Sequence, residues 1–408
     1  MQDSASPKHK VNLEFIGLMA SLMAIVALSI DALLPALPDI ANDLNVTDVS
    51  KNQLLITMIF LGLGIGQLIF GPLSDSFGRK PIIYTGFILF VIASIVCVMT
   101  NSFEMMIFGR ILQGVGLAAP RTISISMVRD TYSGDYMARV MSIVVMVFIL
   151  VPVVAPTIGQ FLITFFDWHS IFNLNLIYGC LVMFWFWKKQ PETLPENKRT
   201  KLSVGLFVNG TKEFLKHQSA IVYTLISGFI TGSFMVYLST SQQIFEHQYK
   251  LADLFPYIFA SLAISIGFAT FLNSALVVRF GMKKIAKTAA IAFCAISIFY
   301  VILFHNGTNP DLSVLVMFFA LQFIAIGFLF GNLRSLAMEP VGHIAGVGAA
   351  INGFVSTIMA VPIANFIGSY VTDSVLPLFI GFSVCGVISV LMMFLVKQKT
   401  ASSIEETV

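Results

Sequence analysis

Residues 71–81 read GPLSDSFGRKP and connect two long apolar runs. Pro72 and Gly78 are residue types that interrupt regular backbone, while Asp75 and Arg79 place opposite charges within one tight bend. Each flanking run is long enough to cross a lipid bilayer as a helix. The stretch therefore predicts two membrane helices joined by a short polar connection at the membrane surface.

The composition predicts an integral membrane protein. Of 408 residues, 57% are hydrophobic and 11% are charged, whereas about 25% of the residues in a soluble domain are charged. A helix that crosses the hydrocarbon core needs roughly 20 apolar residues, and the alternating segments of a membrane β-barrel are not visible. We therefore predict an all-α membrane protein with 12 transmembrane helices, near residues 13–37, 52–74, 81–100, 103–128, 136–164, 169–188, 218–243, 253–278, 284–304, 311–336, 343–370 and 373–396.

The distribution of positive charge predicts that both termini face the cytoplasm. Cytoplasmic loops of membrane proteins are enriched in Lys and Arg. With the N-terminus inside, all but four of the 24 Lys and Arg residues fall on the cytoplasmic side; Lys51 and Lys250 fall in external loops, and Arg110 and Arg121 fall inside the membrane. The first apolar run is too long for a signal peptide and has no small-residue cleavage site, so we expect it to remain as the first helix.

One long polar segment divides the chain. Residues 189–217 contain KKQPETLPENKRTK, whose charges and prolines are typical of a cytoplasmic linker. Six apolar runs precede this segment and six follow it. We therefore predict an N-terminal six-helix bundle over residues 1–188, the linker over 189–217, and a C-terminal six-helix bundle over 218–408.

The polar bend has a partial copy in the second half of the chain. LSDSFGRKP corresponds to LVVRFGMKK in the same orientation, so that Phe77 and Gly78 match Phe280 and Gly281. A parallel duplication of six helices, related by a pseudo-two-fold axis and with binding between the halves, is typical of one large class of transporters. Short basic turns also match by chance, so the repeat favours this class without deciding it.

Several motifs resemble the major facilitator superfamily. The bend is similar to its signature loop, RILQG with Arg110 and Gln113 is similar to its fourth-helix motif, and VPVVAPTIG is similar to its antiporter motif in the fifth helix. More narrowly, IDALLPALPDIA, SMVRDTYSG, PETLPE, SALVVRFG and EPVGHIAGVGAA resemble the Bcr/CflA subfamily of drug:proton antiporters. The fifth-helix stretch departs from the family pattern GPxxGG, because it reads APTIGQ over residues 155–160; the motif residues present are Pro152, Pro156 and Gly159.

The resemblance implies a fold, a location and a function. It implies a monomer of two six-helix bundles in the inner membrane of a bacterium, which exports drugs or other small molecules from the cytoplasm in exchange for protons. A natural metabolite such as a siderophore or an amino acid is the alternative cargo. The expected partners are the small-molecule substrate, protons and the lipid bilayer, with no cofactor, metal ion or nucleic acid.

Asp31 is the one acidic residue that we place well inside an apolar run. It lies about six residues from the outer end of the first predicted helix, on the order of 9 Å deep at 1.5 Å per residue. A carboxylate there must be paired, face water or be neutral, because an ionised group is costly in hydrocarbon. We interpret Asp31 as the proton site and as a substrate contact. The alternative is an acid that caps a locally broken helix near Pro35.

Arg110 is the predicted partner of Asp31. The fourth predicted helix runs inward from about residue 103, so Arg110 lies roughly 10 Å below the same surface. If the two helices face each other, burial favours the neutral carboxyl and the guanidinium favours the carboxylate. Such a balance suits a group that loads and releases a proton near neutral pH. The alternative is a structural role, in which Arg110 donates hydrogen bonds to backbone carbonyls.

Other polar residues in the membrane are candidate substrate contacts. Arg121 returns to within about 20° of the helix face of Arg110, and Gln113 lies near that face. Arg121 is also close enough to the inner end of its helix to reach the lipid interface, which is the alternative for this residue. The second half offers candidates that ordinary hydrogen bonds between helices would also explain; these are Tyr237, Gln322 and Asn352.

The bend and the end of the fourth helix are predicted to form a cytoplasmic gate. Arg79 and Lys80 are expected to pair with Asp130 or with lipid headgroups. Asp75 is expected to engage Arg129 or the positive dipole end of the eleventh helix near residue 343. The copy of the bend in the second half lacks an acid at the corresponding position, so we expect an asymmetric gate. The predicted gate residues are Asp75, Gly78, Arg79, Lys80, Arg129 and Asp130.

The motifs argue against an enzyme and against an ATP-driven pump. The six histidines fall in tails, loops or helix ends, and no HExxH, pair of intramembrane acids or Gly-rich nucleotide loop with a Lys accompanies them. The four cysteines are scattered singly, so neither a disulfide nor a metal site is predicted. A sensor or scaffold without transport would not need Asp31. A secondary transporter is therefore the predicted function.

Overall fold

A computed structural model describes residues 12–46, 48–200 and 204–396 of the chain. Across these ranges the regular elements are all helical, and no strand occurs. Eleven helical segments of the described chain are long and apolar enough to cross a membrane. The remaining predicted run corresponds to α6 (Gly134–Phe165), whose apolar part is Leu150–Phe165. The predicted all-α membrane fold is confirmed.

The first predicted helix is broken rather than continuous. α1 covers Leu13–Asp31, a single 3-10 turn covers Leu34–Ala36, and α2 covers Leu37–Asp43. A proline stands near the start of both the turn and α2, where its missing N–H cannot continue a helical hydrogen-bond ladder. The expectation of one helix over residues 13–37 is therefore wrong after residue 31. The next helices are α3 (Leu54–Phe77), α4 (Arg79–Met99), α5 (Phe103–Thr131), α6 and α7 (His169–Lys189).

The predicted linker contains a helix of its own. After a short turn at Glu196–Lys198, α8 covers Val204–Lys216. α8 packs through Phe214, which is 2% exposed and contacts a cluster with Ala220, Val341 and Ile351. The later elements are α9 (Gln218–Gln242), a π-helical turn (Gln243–Gln248), α10 (Phe255–Phe280), α11 (Met282–Leu303), α12 (Leu312–Met338), α13 (Ala345–Gly368) and α14 (Leu376–Leu395).

The chain forms two compact units. The first comprises Met1–Val204 and Leu238–Gly267, and the second comprises Gly205–Tyr237 and Phe268–Val408. Within the first unit, the side-chain amide of Gln53 donates to that of Gln243 at 3.4 Å, which links the start of α3 to the π-helical turn. The division of the chain at residues 188 and 217 stays a prediction.

Two glycines bring α3 and α5 into backbone contact. A Cβ atom on Gly62 would lie 2.0 Å from the carbonyl oxygen of Ile111, and one on Gly114 would lie 2.0 Å from that of Ile59. Small residues allow membrane helices to approach closely, and the contact area replaces the hydrophobic effect that is missing in lipid. α3 and α5 therefore have no room for a side chain at this crossing.

We predict opposite effects for two alanine substitutions in α3. Gly62→Ala should destabilise the protein by about 1–3 kcal/mol, because the added methyl group meets backbone that cannot rotate away. Gly71→Ala should be neutral or stabilising by up to about 1 kcal/mol, since alanine is the better helix former and nothing lies within 4 Å of the added atom. Thermal unfolding in detergent measures both variants. Equal melting temperatures would contradict the packing described for Gly62.

Candidate functional site

Asp31 is buried at the point where the first helix breaks. It is the last residue of α1 and is 5% exposed. No cation among the described residues lies within ion-pair distance of its carboxyl. Asp31 does not cap a helix, since neither the following turn nor α2 has a side-chain cap. It cannot cap the end of α1 as a carboxylate either, because the free backbone groups there are carbonyl acceptors. The carboxyl thus lies in an environment that offers an anion little compensation.

Arg110 serves as a hydrogen-bonding centre between helices. Its side chain is fully buried. Nε donates to the carbonyl oxygen of Leu55 at 2.8 Å, Nη1 and Nη2 donate to that of Ser29 at 3.1 and 3.2 Å, and Nη1 donates to Oε1 of Gln113 at 2.9 Å. These are the contacts of the structural alternative, and the expected ion pair with Asp31 is not among them. Arg110 instead satisfies a carbonyl two residues before Asp31 and so fixes the end of α1.

The network of Arg110 continues into α4. Nε2 of Gln113 donates to Oγ of Ser94 at 2.8 Å, and that hydroxyl donates to the carbonyl oxygen of Phe90 at 2.8 Å. Gln113 and Ser94 are fully buried. The amide of Gln113, predicted to contact substrate, is therefore used on both its oxygen and its nitrogen within the protein. Arg121, the other predicted cation of this stripe, lies half-buried on α5.

The predicted antiporter motif packs against the break next to Asp31. Pro152, Pro156 and Gly159 lie inside α6. A Cβ atom on Gly159 would lie 2.0 Å from the carbonyl oxygen of Ala32 and 3.1 Å from Cγ of Pro35. The glycine therefore allows the backbone of α6 to touch the residue that follows Asp31. The motif and the proposed proton site belong to one packed region.

The second unit repeats the amide network without an arginine. Nε2 of Gln322 donates to Oγ of Ser297 at 2.6 Å and to the carbonyl oxygen of Phe293 at 3.1 Å, and Ser297 donates to Phe293 at 2.6 Å. Phe293 and Ser297 follow Gly281 at the spacing with which Phe90 and Ser94 follow Gly78.

An aromatic residue stands at the position that corresponds to Arg110. Phe319 precedes Gln322 by three residues, as Arg110 precedes Gln113. Oε1 of Gln322 is buried and has no hydrogen-bond partner in the part of the chain that the structure describes. The corresponding oxygen of Gln113 is the one that accepts from Arg110. The second unit therefore holds a free acceptor where the first unit holds a cation.

The other two candidates of the second unit have partners. The ring of Tyr237 packs edge-on against Phe319 and Phe323, with centroid distances of 5.0 and 4.6 Å. Nδ2 of Asn352 donates to Oγ1 of Thr224 at 2.8 Å. The bond of Asn352 matches the alternative of an ordinary hydrogen bond between helices. Gln322 is thus the predicted contact that keeps an acceptor available.

The predicted gate residues gather around Arg79. Nε of Arg79 donates to Asp130 at 2.9 Å, and Nη1 donates to Asp75 and to Oγ of Ser74. Among the described residues, Asp75 therefore pairs with Arg79 and not with Arg129, so the expected pairing with Arg129 is not found. Arg129 is exposed and donates to Ser126 at 3.3 Å.

The remaining predicted gate residues, Gly78 and Lys80, lie at the bend. Gly78 has φ of 101°, which favours glycine, and Gly281 in the second copy has φ of 78°. Nζ of Lys80 donates to the carbonyl oxygen of Trp187 at 3.4 Å. The two copies of the bend therefore share their backbone conformation. The charged cluster around Arg79 belongs to the first.

Glu192 contacts the predicted gate residues, although the sequence patterns assigned it no role. It lies in the PETLPE stretch after α7, and its carboxylate accepts hydrogen bonds from four backbone N–H groups. Burial raises the pKa of Glu192, but the bonds from Leu194, Lys80, Arg79 and Thr193 outweigh burial and hold the pKa below its usual range. The one signal was an acid between two prolines, which does not identify its partner.

We predict that Arg110→Lys lowers stability far more than Arg129→Lys. An ammonium group cannot reach the carbonyls of Leu55 and Ser29 and the amide of Gln113 together, and each buried acceptor left unpaired costs about 1–3 kcal/mol. Arg129 lies on the same helix, is itself exposed and donates a long bond of 3.3 Å to Ser126, so its replacement should change stability by less than about 0.5 kcal/mol. Thermal unfolding of the purified variants measures the difference. Similar losses would exclude the central role of Arg110.

Comparisons with known proteins agree with this geometry. The family model of the Major Facilitator Superfamily matches residues 19–364. The chain is 31% identical over 376 residues to an uncharacterized MFS-type transporter, YdgK, of Bacillus subtilis (strain 168), covering 91% of this chain and 92% of the relative. It is 28% identical over 407 residues to a bicyclomycin resistance protein homolog of Haemophilus influenzae, covering 97% and 99%.

A solved structure supports the same fold. The xylose transporter XylE from E. coli, in a partially occluded inward-open conformation, has a TM-score of 0.72 and 13% sequence identity, with 94% of this chain and 97% of that chain covered. At this identity the likeness concerns the fold alone. In the described ranges, no group of three or more potential metal ligands occurs.

Proposed function

The chain belongs to the Major Facilitator Superfamily, and we propose that it exports drugs or related small molecules from the cytoplasm in exchange for protons. Of two relatives that cover nearly the whole chain, one is named an MFS-type transporter and the other a bicyclomycin resistance protein homolog. The chain is thus a transporter rather than an enzyme. The proposal adds the direction, the type of cargo and the coupling ion.

Asp31 is the proposed proton site, and its burial without an ion-pair partner supports this role. It is 5% exposed at the end of α1, where the helix dipole also disfavours an anion. Addition or removal of a proton there changes the charge beside a break in the helix. Arg110 is bonded to Ser29 and Gly159 packs on Ala32, so α5 and α6 contact the backbone on either side of Asp31. Both helices would respond to the change in charge.

The membrane placement follows the charge distribution. We place the protein in the inner membrane of a bacterium as a monomer with both termini in the cytoplasm, in keeping with its bacterial relatives. In this orientation the cluster of Asp75, Arg79 and Asp130 lies at the cytoplasmic end of the first unit. We assign this cluster to the cytoplasmic gate, where its ion pairs would stabilise one state of the transport cycle.

Substitution of the proposed proton site tests the function. In proteoliposomes with bicyclomycin as the probe, Asp31→Asn should reduce substrate-driven proton movement at least tenfold, because asparagine cannot release a proton. Asp39→Asn is the matched control, since Asp39 is an exposed acid in the adjoining α2 and its replacement should leave coupling intact.

The same variants should differ in cells. A susceptibility panel in an efflux-deficient host compares the intact protein with both substitutions. Loss of resistance with Asp31→Asn and its retention with Asp39→Asn would support the proposal. Unchanged proton coupling in the Asp31→Asn protein would remove the role given to Asp31.

Gln322 is the proposed substrate contact of the second unit. Its Oε1 is a buried acceptor without a partner among the described residues, and such an atom favours a hydrogen-bond donor on a ligand. The neighbouring residues Phe319, Phe323 and Tyr237 are aromatic. We infer a substrate that combines an apolar body with an N–H or O–H group, as small-molecule sites commonly do.

Replacing this acceptor should change affinity as well as stability. Gln322→Met keeps the side-chain volume but removes the acceptor together with the bonds that Nε2 donates to Ser297 and Phe293, so KM for a transported probe should rise at least threefold and the melting temperature should fall. Asn332→Leu on the same helix removes an amide that bonds Asn273 at 2.7 Å and should lower the melting temperature without changing KM. Transport kinetics and thermal unfolding give the two readouts. An unchanged KM for Gln322→Met would contradict the proposed contact.

A further inference from the structure

The first turn of α4 is capped from a distant part of the chain. A helix begins with backbone N–H groups that have no partner within the helix, and the residue before α4 is Gly78, which has no side chain to offer. Glu192 supplies the missing acceptors: Oε1 accepts from the N–H of Arg79 at 3.0 Å, and Oε2 accepts from that of Lys80 at 3.0 Å. A carboxylate at this end of a helix also meets the positive end of its dipole.

The same carboxylate shapes the segment that carries it. Oε1 of Glu192 accepts from the N–H groups of Thr193 and Leu194, both at 2.9 Å. Leu194 is 8% exposed. A Cβ atom on Gly78 would lie 2.7 Å from Oε2 of Glu192, so the approach depends on glycine at that position. The segment after α7 is therefore docked onto the bend through defined bonds.

Two further bonds connect this segment to the acids of the gate. Oγ1 of Thr193 donates to Oδ2 of Asp130 at 3.1 Å, the oxygen that accepts from Nε of Arg79. The N–H of Thr200 donates to the carbonyl oxygen of Asp75 at 3.0 Å. Residues 192–200 thus contact each member of the charged cluster, Arg79 and Asp75 through their backbone and Asp130 through its carboxylate.

We propose that Glu192 is a positioning residue of the cytoplasmic gate. It docks the segment after α7 onto the bend and thereby holds Arg79 between Asp75 and Asp130. The inference rests on the proposed function of this cluster as a gate. Through this docking, the segment between the predicted bundles takes part in the gate. If the segment undocked, α4 and Asp130 would lose their bonds to it together.

Hydrogen exchange measures the docking directly. In the wild-type protein in nanodiscs, the amides of Arg79, Lys80, Thr193 and Leu194 should be protected. Glu192→Gln should accelerate the exchange of the Arg79 or the Lys80 amide at least tenfold, because glutamine keeps one acceptor oxygen and its NH2 group presents a donor to the other of these two N–H groups. Glu196→Gln is the matched control: Glu196 lies in the same segment, 89% exposed at its side chain, and its replacement should leave exchange unchanged.

A double-mutant cycle tests the role in transport. If Glu192 acts through the gate, the effects of Glu192→Gln and Asp130→Asn on the transport rate should be coupled at least fivefold, whereas Glu196→Gln and Asp130→Asn should be additive. Thr193→Val removes the hydroxyl that reaches Asp130 and leaves the cap of α4 in place, so it serves where Glu192→Gln folds poorly. The effects of Thr193→Val and Asp130→Asn on the transport rate should also be coupled, by a smaller factor.

The pH profile separates this role from proton carriage. Because the pKa of Glu192 is held below its usual range, its stabilising contribution is present above the ordinary pKa of glutamate, about 4.3, and is lost as the pH falls through the lowered value. Glu192→Gln should therefore lower the rate near neutral pH without shifting the pH profile of transport.

The possible outcomes are distinct. Faster exchange together with coupling to Asp130 supports the proposal. Faster exchange with additive kinetics would reduce Glu192 to a helix cap and overturn it, and unchanged exchange would overturn the docking itself. Absence of transport by the wild-type protein with every probe would refute the proposed function, while the exchange result would still report on docking.

Discussion

A helix that ends inside a membrane leaves carbonyl oxygens without water to bind, and this constraint governs the first unit. The backbone of a membrane span must be satisfied by the protein. α1 ends at Asp31, and the guanidinium of Arg110 donates to the carbonyl of Ser29 from two nitrogens. The arginine is therefore required by the break, and the break in turn frees Asp31 from the interior of a regular helix. Burial of a cation at the negative end of α1 also suits the helix dipole.

At the predicted gate, the opposite end of a helix needs partners for its backbone, because here a helix begins. There the free groups are N–H donors, and the carboxylate of Glu192 accepts two of them at the beginning of α4. Arg79, the first residue of that helix, directs its side chain to Asp75 and Asp130. In both places a charged side chain from another element completes a helix end and positions a functional group beside it. The positions of these functional groups thus depend on backbone hydrogen bonding as much as on their own charge.

The sequence predicted those features that depend on patterns within a short stretch of the chain. Apolar runs of sufficient length gave the helices, since the bilayer sets their length. The break after Asp31 was not predicted, because a broken helix near Pro35 entered only as the alternative interpretation of Asp31. The depth of Arg110 was predicted from helical rise, but its partner was not, because five donors can bind carbonyls as readily as a carboxylate. Glu192 escaped prediction since it caps a helix 113 residues away. Contacts of that kind depend on which surfaces meet, and one sequence does not contain that information.

The two units differ at the position where one has Arg110. Both have a glutamine that bonds a serine and, through it, a phenylalanine carbonyl, so the two units share this network. In the second unit Phe319 replaces the cation, and Gln322 keeps an acceptor that no described residue uses. A cation is needed only where a helix breaks, and the break lies beside Asp31. This difference favours our proposal that proton chemistry belongs with the first unit, while the neutral, aromatic surroundings of Gln322 in the second unit suit the proposed cargo.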